Sequence, residues 1–147
     1  MPRIIDSIED AIASLSLLKV SFYEQSAKRE EINPGQMTIV PTGDADANID
    51  IELGYRTSES GIDYRCQLSV AFEGANIRVD AAASYRSKES VELSDEIIAD
   101  FGDNVAIMML LPYVRQAVSD LGSRIGYEMT LPIIQRGELR LDVTGLR

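Results

Sequence analysis

Ile62-Asp63-Tyr64-Arg65-Cys66-Gln67-Leu68-Ser69-Val70-Ala71-Phe72 alternates without interruption. Ile62, Tyr64, Cys66, Leu68, Val70 and Phe72 fall on one side of an extended chain, and Asp63, Arg65, Gln67, Ser69 and Ala71 on the other. A sustained period of two is the pattern of a sheet with one buried and one wet face. Upstream, Ile49, Ile51, Leu53 and Tyr55 alternate with Asn48, Asp50, Glu52 and Gly54. Downstream, Ile77, Val79, Ala81, Ala83 and Tyr85 alternate with Arg78, Asp80, Ala82 and Ser84. Ser58-Glu59-Ser60-Gly61 and Glu73-Gly74-Ala75-Asn76 are short polar links with glycine, so the three runs predict a hairpin meander. An earlier strand is predicted from about Leu15 to Glu24, and its alternation slips between Leu17 and Leu18, as a bulge or bend requires. Between the first two strands lies a long loop, Glu30 to Ala47, punctuated by Pro34-Gly35 and Pro41-Thr42-Gly43. Such loops are uncommon in compact domains and often functional. This one carries Ile32, Met37, Ile39 and Val40, which need cover.

The period changes near Ser90. Ser94 before Asp95 and Glu96 is an N-cap pattern with acids in the first turn. Ile97, Ile98 and Phe101 make a short apolar stripe, and Gly102 is placed to end that helix. Asp103 or Asn104 would cap a second helix from Val105 to about Ser123, with a kink or a fresh start expected at Pro112. Leu110, Val114, Ala117, Leu121 and Ile125 recur at helical spacing, and Gly122 and Gly126 suit its end. Met129 to Ile134 is short, apolar and extended, and the tail to Arg147 has weak strand character. The first dozen residues fit a helix or an extra strand. Strands followed by helices predict an α+β fold: a four-stranded antiparallel sheet with a long crossover loop after the first strand and two helices on one face. The other face, with Asp50, Glu52, Arg65, Gln67 and Asp80, is left to water or a partner.

The chain has 147 residues, which predicts one domain with a core over about residues 13–134. Its formal net charge is −10, against nucleic acid or an anionic membrane as partner. Residues 1–110 carry the acidity, at net −11, and residues 111–147 are at net +1. No histidine is present, which excludes Ser-His-Asp and Cys-His catalysis and His-ligated zinc. One cysteine, Cys66, permits no intrachain disulfide and suits a reducing compartment. Acids at Asp6, Glu9 and Asp10 interrupt any secretory leader, and the longest apolar run, Val105 to Pro112, is far short of a membrane span. A cytoplasmic protein is expected.

Few residues offer chemistry. Asp44, Asp46, Asp50 and Glu52 alternate like oxygen ligands, but the calcium-loop spacing fails, so a solvated strand edge is expected. Cys66 lies on the apolar side of its strand with no base to activate it, as a buried small hydrophobe would. Asp63 and Arg65 are expected to form a surface ion pair. Phosphate-binding glycine loops are absent, and neither a cofactor nor a metal is expected. Met108, Met109, Leu110 and Leu111 surround most of a helix, which fits subunit contacts, an adaptable binding surface, or both.

The segment Leu111-Pro112-Tyr113-Val114-Arg115-Gln116, followed by an apolar helix, Ser123-Arg124-Ile125-Gly126 and then Leu131-Pro132, resembles the SecB family of bacterial export chaperones. That family carries hydrophobic–Pro–Tyr–x–Arg–Glu, then Ser/Thr-Arg-x-Gly, then an apolar stretch ending in Leu-x-Pro. Pro112, Tyr113, Arg115, Arg124, Gly126, Leu131 and Pro132 fit those places, with Gln116 where an acid is common. Val20-Ser21-Phe22-Tyr23-Glu24 is similar to the end of the family's first strand.

The resemblance implies an ATP-independent holdase that binds unfolded polypeptide or preprotein clients and assembles as a homotetramer, a dimer of dimers. It implies a client groove formed by Ile32, Met37, Ile39 and Val40 of the loop, Met108, Leu111 and Tyr113 of the helix, and Met129, Leu131, Ile133 and Ile134 beyond it. The family docks a SecA-type translocase motor on acids of its sheet. Asp80 matches one such acid and Glu24 is nearby, while Lys19 stands close to where another is expected. SecB-like chaperones also serve toxin–antitoxin systems, where the client is an antitoxin. Export and antitoxin roles both stay open. A small-ligand-binding or enzymatic α+β domain is the rival of another class.

Overall fold

The computed structural model describes residues 1–30, 48–72, 74–127 and 131. The expected loop residues Ile32, Met37, Ile39 and Val40, and Met129, Ile133 and Ile134, lie outside the described residues, as do Asp44 and Asp46.

Four long strands form the expected sheet: β2 (Ser16–Arg29), β3 (Asn48–Ser58), β4 (Gly61–Phe72) and β5 (Ala75–Arg86). All pairings are antiparallel, in the order β2-β5-β4-β3. β3, β4 and β5 are the meander, and β2 returns to pair with β5. The alternating apolar sides of β4 and β5 are buried, with Ile62, Tyr64, Cys66, Ile77 and Ala81 fully so. β2 runs on to Arg29, beyond its expected end. Its pairing shifts between Leu17 and Lys19, where the sequence slips, and again between Phe22 and Glu24. The second bulge swings Tyr23 over the open face, where its ring lies 4.9 Å from the Arg65 guanidinium.

Helix α2 (Asp95–Phe101) starts as expected, with Ser94 Oγ accepting a hydrogen bond from the Ile97 N–H at 3.2 Å. It does not stop at Gly102. The chain passes through one π-helical turn (Gly102–Ala106) directly into α3 (Ile107–Arg124). Gly102 keeps right-handed helical angles and is buried. Apolar residues on both sides of it, Ile97, Ile98 and Phe101 before and Ile107, Leu110 and Leu111 after, are all buried in one core. That shared burial holds the helix on, and the wider turn absorbs the extra residue. Asn104 is therefore no cap: its amide donates back to the Asp100 carbonyl and side chain at 2.9 and 2.8 Å.

Of the two outcomes expected at Pro112, a kink or a fresh start, the fresh start does not occur: α3 continues through it. An interior proline costs about 3 kcal/mol. Here it sits on the exposed side, while Leu110, Leu111, Val114, Ala117 and Val118 stay buried on either side of it. α3 ends where Gly126 takes a left-handed φ of 84° and the Tyr127 N–H reaches the Gly122 carbonyl at 2.8 Å. The run Asp95–Arg124 is long and apolar enough, at a hydropathy of 1.4, to pass for a membrane span. Half of that window is buried inside the protein, which accounts for its apolarity as a core helix.

The first dozen residues supply both elements that the sequence left open. β1 (Arg3–Ile5) pairs in parallel with β6 (Val91–Leu93), and α1 (Ile8–Ser14) follows, capped by Ser7. Ile5 is fully buried, and Arg3 ties the segment to Asp10, Ser14 and Glu89.

Candidate functional site

α3 packs chiefly over β5 and also touches β2 and β4. β2 is an edge strand, so the helix layer leaves much of it uncovered. Leu17, Leu18, Phe22 and Tyr23 are exposed there, and Met109 and Tyr113, four residues apart on one side of α3, are 44% and 46% exposed. These are the exposed large apolar side chains of β2 and α3, with Tyr23 on the open sheet face beside Arg65.

The expected groove residues divide on this geometry. Tyr113 is exposed and Met108 is partly buried against the core. Leu111 and Leu131 are 3% and 2% exposed and pack in the core. Position 111 falls on the stripe with Ile107 and Val114 that faces the sheet, and an apolar run on every side of a helix does not tell which face turns inward. Met109 was missed for the same reason.

Arg115 has a role that the spacing did not show. Its Nε and Nη2 both donate to the Leu131 carbonyl, at 3.3 and 3.2 Å. A second arginine acts on the same stretch. Arg29, at the end of β2, donates to the Ile125 carbonyl at 3.2 Å and lies 5.5 Å from the centre of the Tyr127 ring. Tyr127 is buried and packs on Phe72 at 5.4 Å.

On the open sheet face, cross-strand register sets the partners. Asp63 does not pair with Arg65, two residues along the same strand. It meets Arg56, directly opposite on β3, at 3.1 Å and Arg86, diagonally across on β5, at 2.9 Å, since cross-strand neighbours, opposed or diagonal, are the partners that long side chains reach. Arg65 instead grips Asp80 on β5, with Nε to Oδ1 at 2.8 Å, and Gln67 adds a bond at 3.2 Å. Glu24 sits beside Asp80 in register and faces Arg78 at 3.7 Å. Both acids expected to dock a motor are thus matched to arginines of the sheet. Asp50 and Glu52 have no ion pair among the described residues.

The Arg65 hydrogen bonds hold the Asp80 carboxyl below its usual range. Burial pushes Asp63 upward, but donors from Arg86, Ser84 and Arg56 outweigh it and leave the carboxyl lowered too. A lowered folded pKa contributes stability that is full above the unfolded value of about 3.9 and is lost as pH falls through the folded value. The melting temperature is therefore expected to drop steeply below about pH 4. Asp80→Asn should cost about 1–3 kcal/mol at neutral pH and flatten part of that drop, as thermal melts across pH will show. Equal acid sensitivity in the variant would remove Asp80 from this role.

Cys66 is buried, and burial pushes its thiol up to about 12, so it supplies no thiolate. No group of metal-ligating side chains exists among the described residues.

A four-stranded sheet backed by one long apolar helix has a counterpart among known proteins. The SecB-like chaperone SmegB of Mycolicibacterium smegmatis is 22% identical over 138 residues, covering 92% of this chain and 86% of SmegB. The Mycobacterium tuberculosis SecB-like chaperone Rv1957, solved in complex with a ChAD peptide from the HigA1 antitoxin, superposes with a TM-score of 0.67 at 16% identity. That match covers 86% of this chain and 92% of Rv1957. The fold is SecB-like. No family model matches the chain. The likeness read at Pro112-Tyr113-x-Arg115 therefore extends along most of the SecB-like chain, strands and helix included. Within the SecB-like fold, Arg115 is the motif residue whose contact the structure explains best.

Proposed function

We propose that this protein is an ATP-independent chaperone of the cytoplasm that holds unfolded polypeptide through apolar surface, with a binding rather than a catalytic role. The observation that carries this reading is the SecB-like fold joined to uncovered Met109, Tyr113, Phe22 and Tyr23. Flexible methionine and broad aromatic side chains accept many apolar segments, and each large side chain covered contributes about 1.5–3 kcal/mol. The client residues of the sequence reading remain part of the proposal: Ile32, Met37, Ile39 and Val40, Met108, Leu111 and Tyr113, and Met129, Leu131, Ile133 and Ile134, with Leu111 and Leu131 reached only where the core opens to a client. The free edge of β2 and the outer side of α3 support self-association, for which a homotetramer built as a dimer of dimers is the proposed form.

Two observations favour an antitoxin over export preproteins as the client. The solved relative holds an antitoxin peptide, and here Glu24 and Asp80 already face Arg78 and Arg65. Acids neutralised from within the sheet offer little to a basic motor surface.

The test is light scattering after a chemically unfolded, slow-folding protein is diluted into buffer without nucleotide. Near-stoichiometric chain is expected to suppress aggregation. It should also bind an apolar antitoxin tail as a labelled peptide. Failure with both clients, from a folded preparation, would refute the chaperone reading.

A further inference from the structure

The open face of the sheet, on the far side from α3, carries its charges at two levels. Register places Lys19, Ser84, Asp63 and Arg56 in one row across the four strands, a width of about 14 Å. Arg86 stands on one side of that row and Arg65 on the other. The carboxylates lie low and the guanidinium groups high. The side chains of Asp63 and Asp80 are 12% and 10% exposed, whereas those of Arg56, Arg65 and Arg86 are 77%, 48% and 31% exposed. Asp63 serves two arginines with one oxygen each, Arg86 Nη1 at 2.9 Å and Arg56 Nη2 at 3.1 Å. Asp80 takes Arg65, and Lys19 has no ion pair among the described residues. Four cations thus stand over two carboxylates, in a chain whose net charge is −10.

This layer is ordered. The Tyr23 ring lies 4.9 Å from the Arg65 guanidinium, which Asp80 holds from below with Nε to Oδ1 at 2.8 Å. Ala82 and Ser84 point to the same face but are only 2% and 6% exposed, so the longer side chains around them lie over the sheet. Tyrosine and arginine are the residue types that carry most of the energy at protein interfaces. Holding them in place beforehand leaves less ordering to association. The other end of the face has the opposite sign, with Asp50 and Glu52 on β3 lacking an ion pair among the described residues. A long polyanion such as nucleic acid would run onto those acids and be repelled, whereas a short acidic stretch of polypeptide would not.

We propose that Lys19, Arg56, Arg65 and Arg86, with Tyr23, form a docking surface for an acidic segment of a partner polypeptide. Arginine has five N–H donors, and among the described residues Arg56 gives Asp63 only Nη2, so its remaining donors can meet a partner's carboxylate. The surface lies on the opposite side of the sheet from α3. It goes beyond the chaperone reading and does not depend on it, and a client on α3 would leave the arginines open.

The test uses the full chain and three fluorescent probes of equal length: an oligoglutamate, an oligolysine and an oligothymidine. Binding is read by anisotropy at low and at physiological salt. Wild type is expected to bind the oligoglutamate best, with affinity falling about tenfold as salt rises. Arg56→Gln should weaken that binding by about two- to fivefold and Arg56→Glu by about tenfold. Arg124→Gln removes the same charge at the exposed end of α3, on the helix side, and should leave binding unchanged. Thermal melts of each variant confirm that the fold is kept. The proposal is wrong if folded wild type does not bind the oligoglutamate at low salt, or if Arg56→Gln and Arg124→Gln bind it alike. Preference for the oligothymidine would make the face a nucleic-acid surface, and preference for the oligolysine would assign it to a basic partner. Either result overturns the proposal, and neither bears on the capture of unfolded clients.

Discussion

Phe101→Ala is expected to destabilise the protein by about 3–5 kcal/mol, the cost of emptying an aromatic site that cannot collapse. Phe101 is 1% exposed and forms the centre of an aromatic group. The Tyr85 ring meets it edge-on, at 5.0 Å and 88°, and the Tyr64 ring lies at 6.1 Å. Neither tyrosine is free to move into the gap. Tyr64 donates its hydroxyl to the Ile98 carbonyl at 2.7 Å, and both rings belong to central strands paired on each side. Domains of this kind hold about 5–15 kcal/mol in total, so the variant should be partly unfolded near body temperature. Urea titration is the measurement, with the midpoint falling and the slope unchanged. A loss under about 1 kcal/mol would mean that the aromatic group repacks.

Gly61→Ala is expected to disrupt the β3–β4 hairpin more severely than a single added methyl suggests. A Cβ at this position would lie 2.0 Å from the Tyr85 carbonyl oxygen and 3.0 Å from the Arg86 Cα. These are backbone atoms of β5, which cannot rotate away as a side chain tip can. Ser58 and Gly61 are the closing pair of the turn, so relief must come from parting β4 from β5 at that end. Overpacking usually costs about 1–3 kcal/mol, and a clash with a paired strand belongs at the upper end or beyond. Circular dichroism melts of Gly61→Ala beside Gly54→Ala provide the control, because a Cβ on Gly54 would meet nothing within 4 Å. Similar melts for the two would overturn the steric account.

The strands were legible because alternation is a local signal. Ile62 to Phe72 shows its buried side to the eye, and the slip at Leu17 marks a true bulge. Ser94 was legible as a cap because its partner, Ile97, is three residues away. What the sequence hid depends on distant partners. Gly102 looks like a stop until the sheet beneath it is known to bury residues on both sides. Asp63 looks like a mate for Arg65 until register sets Arg56 and Arg86 beside it. Among Met108 to Leu111, apolarity was visible, but only the packed sheet decides that Leu110 and Leu111 turn inward and Met109 outward. Arg115 stood out by resemblance, while its contact with Leu131 crosses sixteen positions and leaves no periodic trace.

The wide turn at Gly102–Ala106 acts as a phase setting for everything after it. A regular helix advances about 100° per residue, with a rise of about 1.5 Å. Losing one residue there would restore an ordinary turn and rotate α3 by about that angle. Met109 and Tyr113 would swing away from the outer side, and either the core or the apolar surface would have to be given up. A length change of one residue is thus harder to absorb here than many changes of residue type, and the spacing from Phe101 to Ile107 carries information that neither end carries alone.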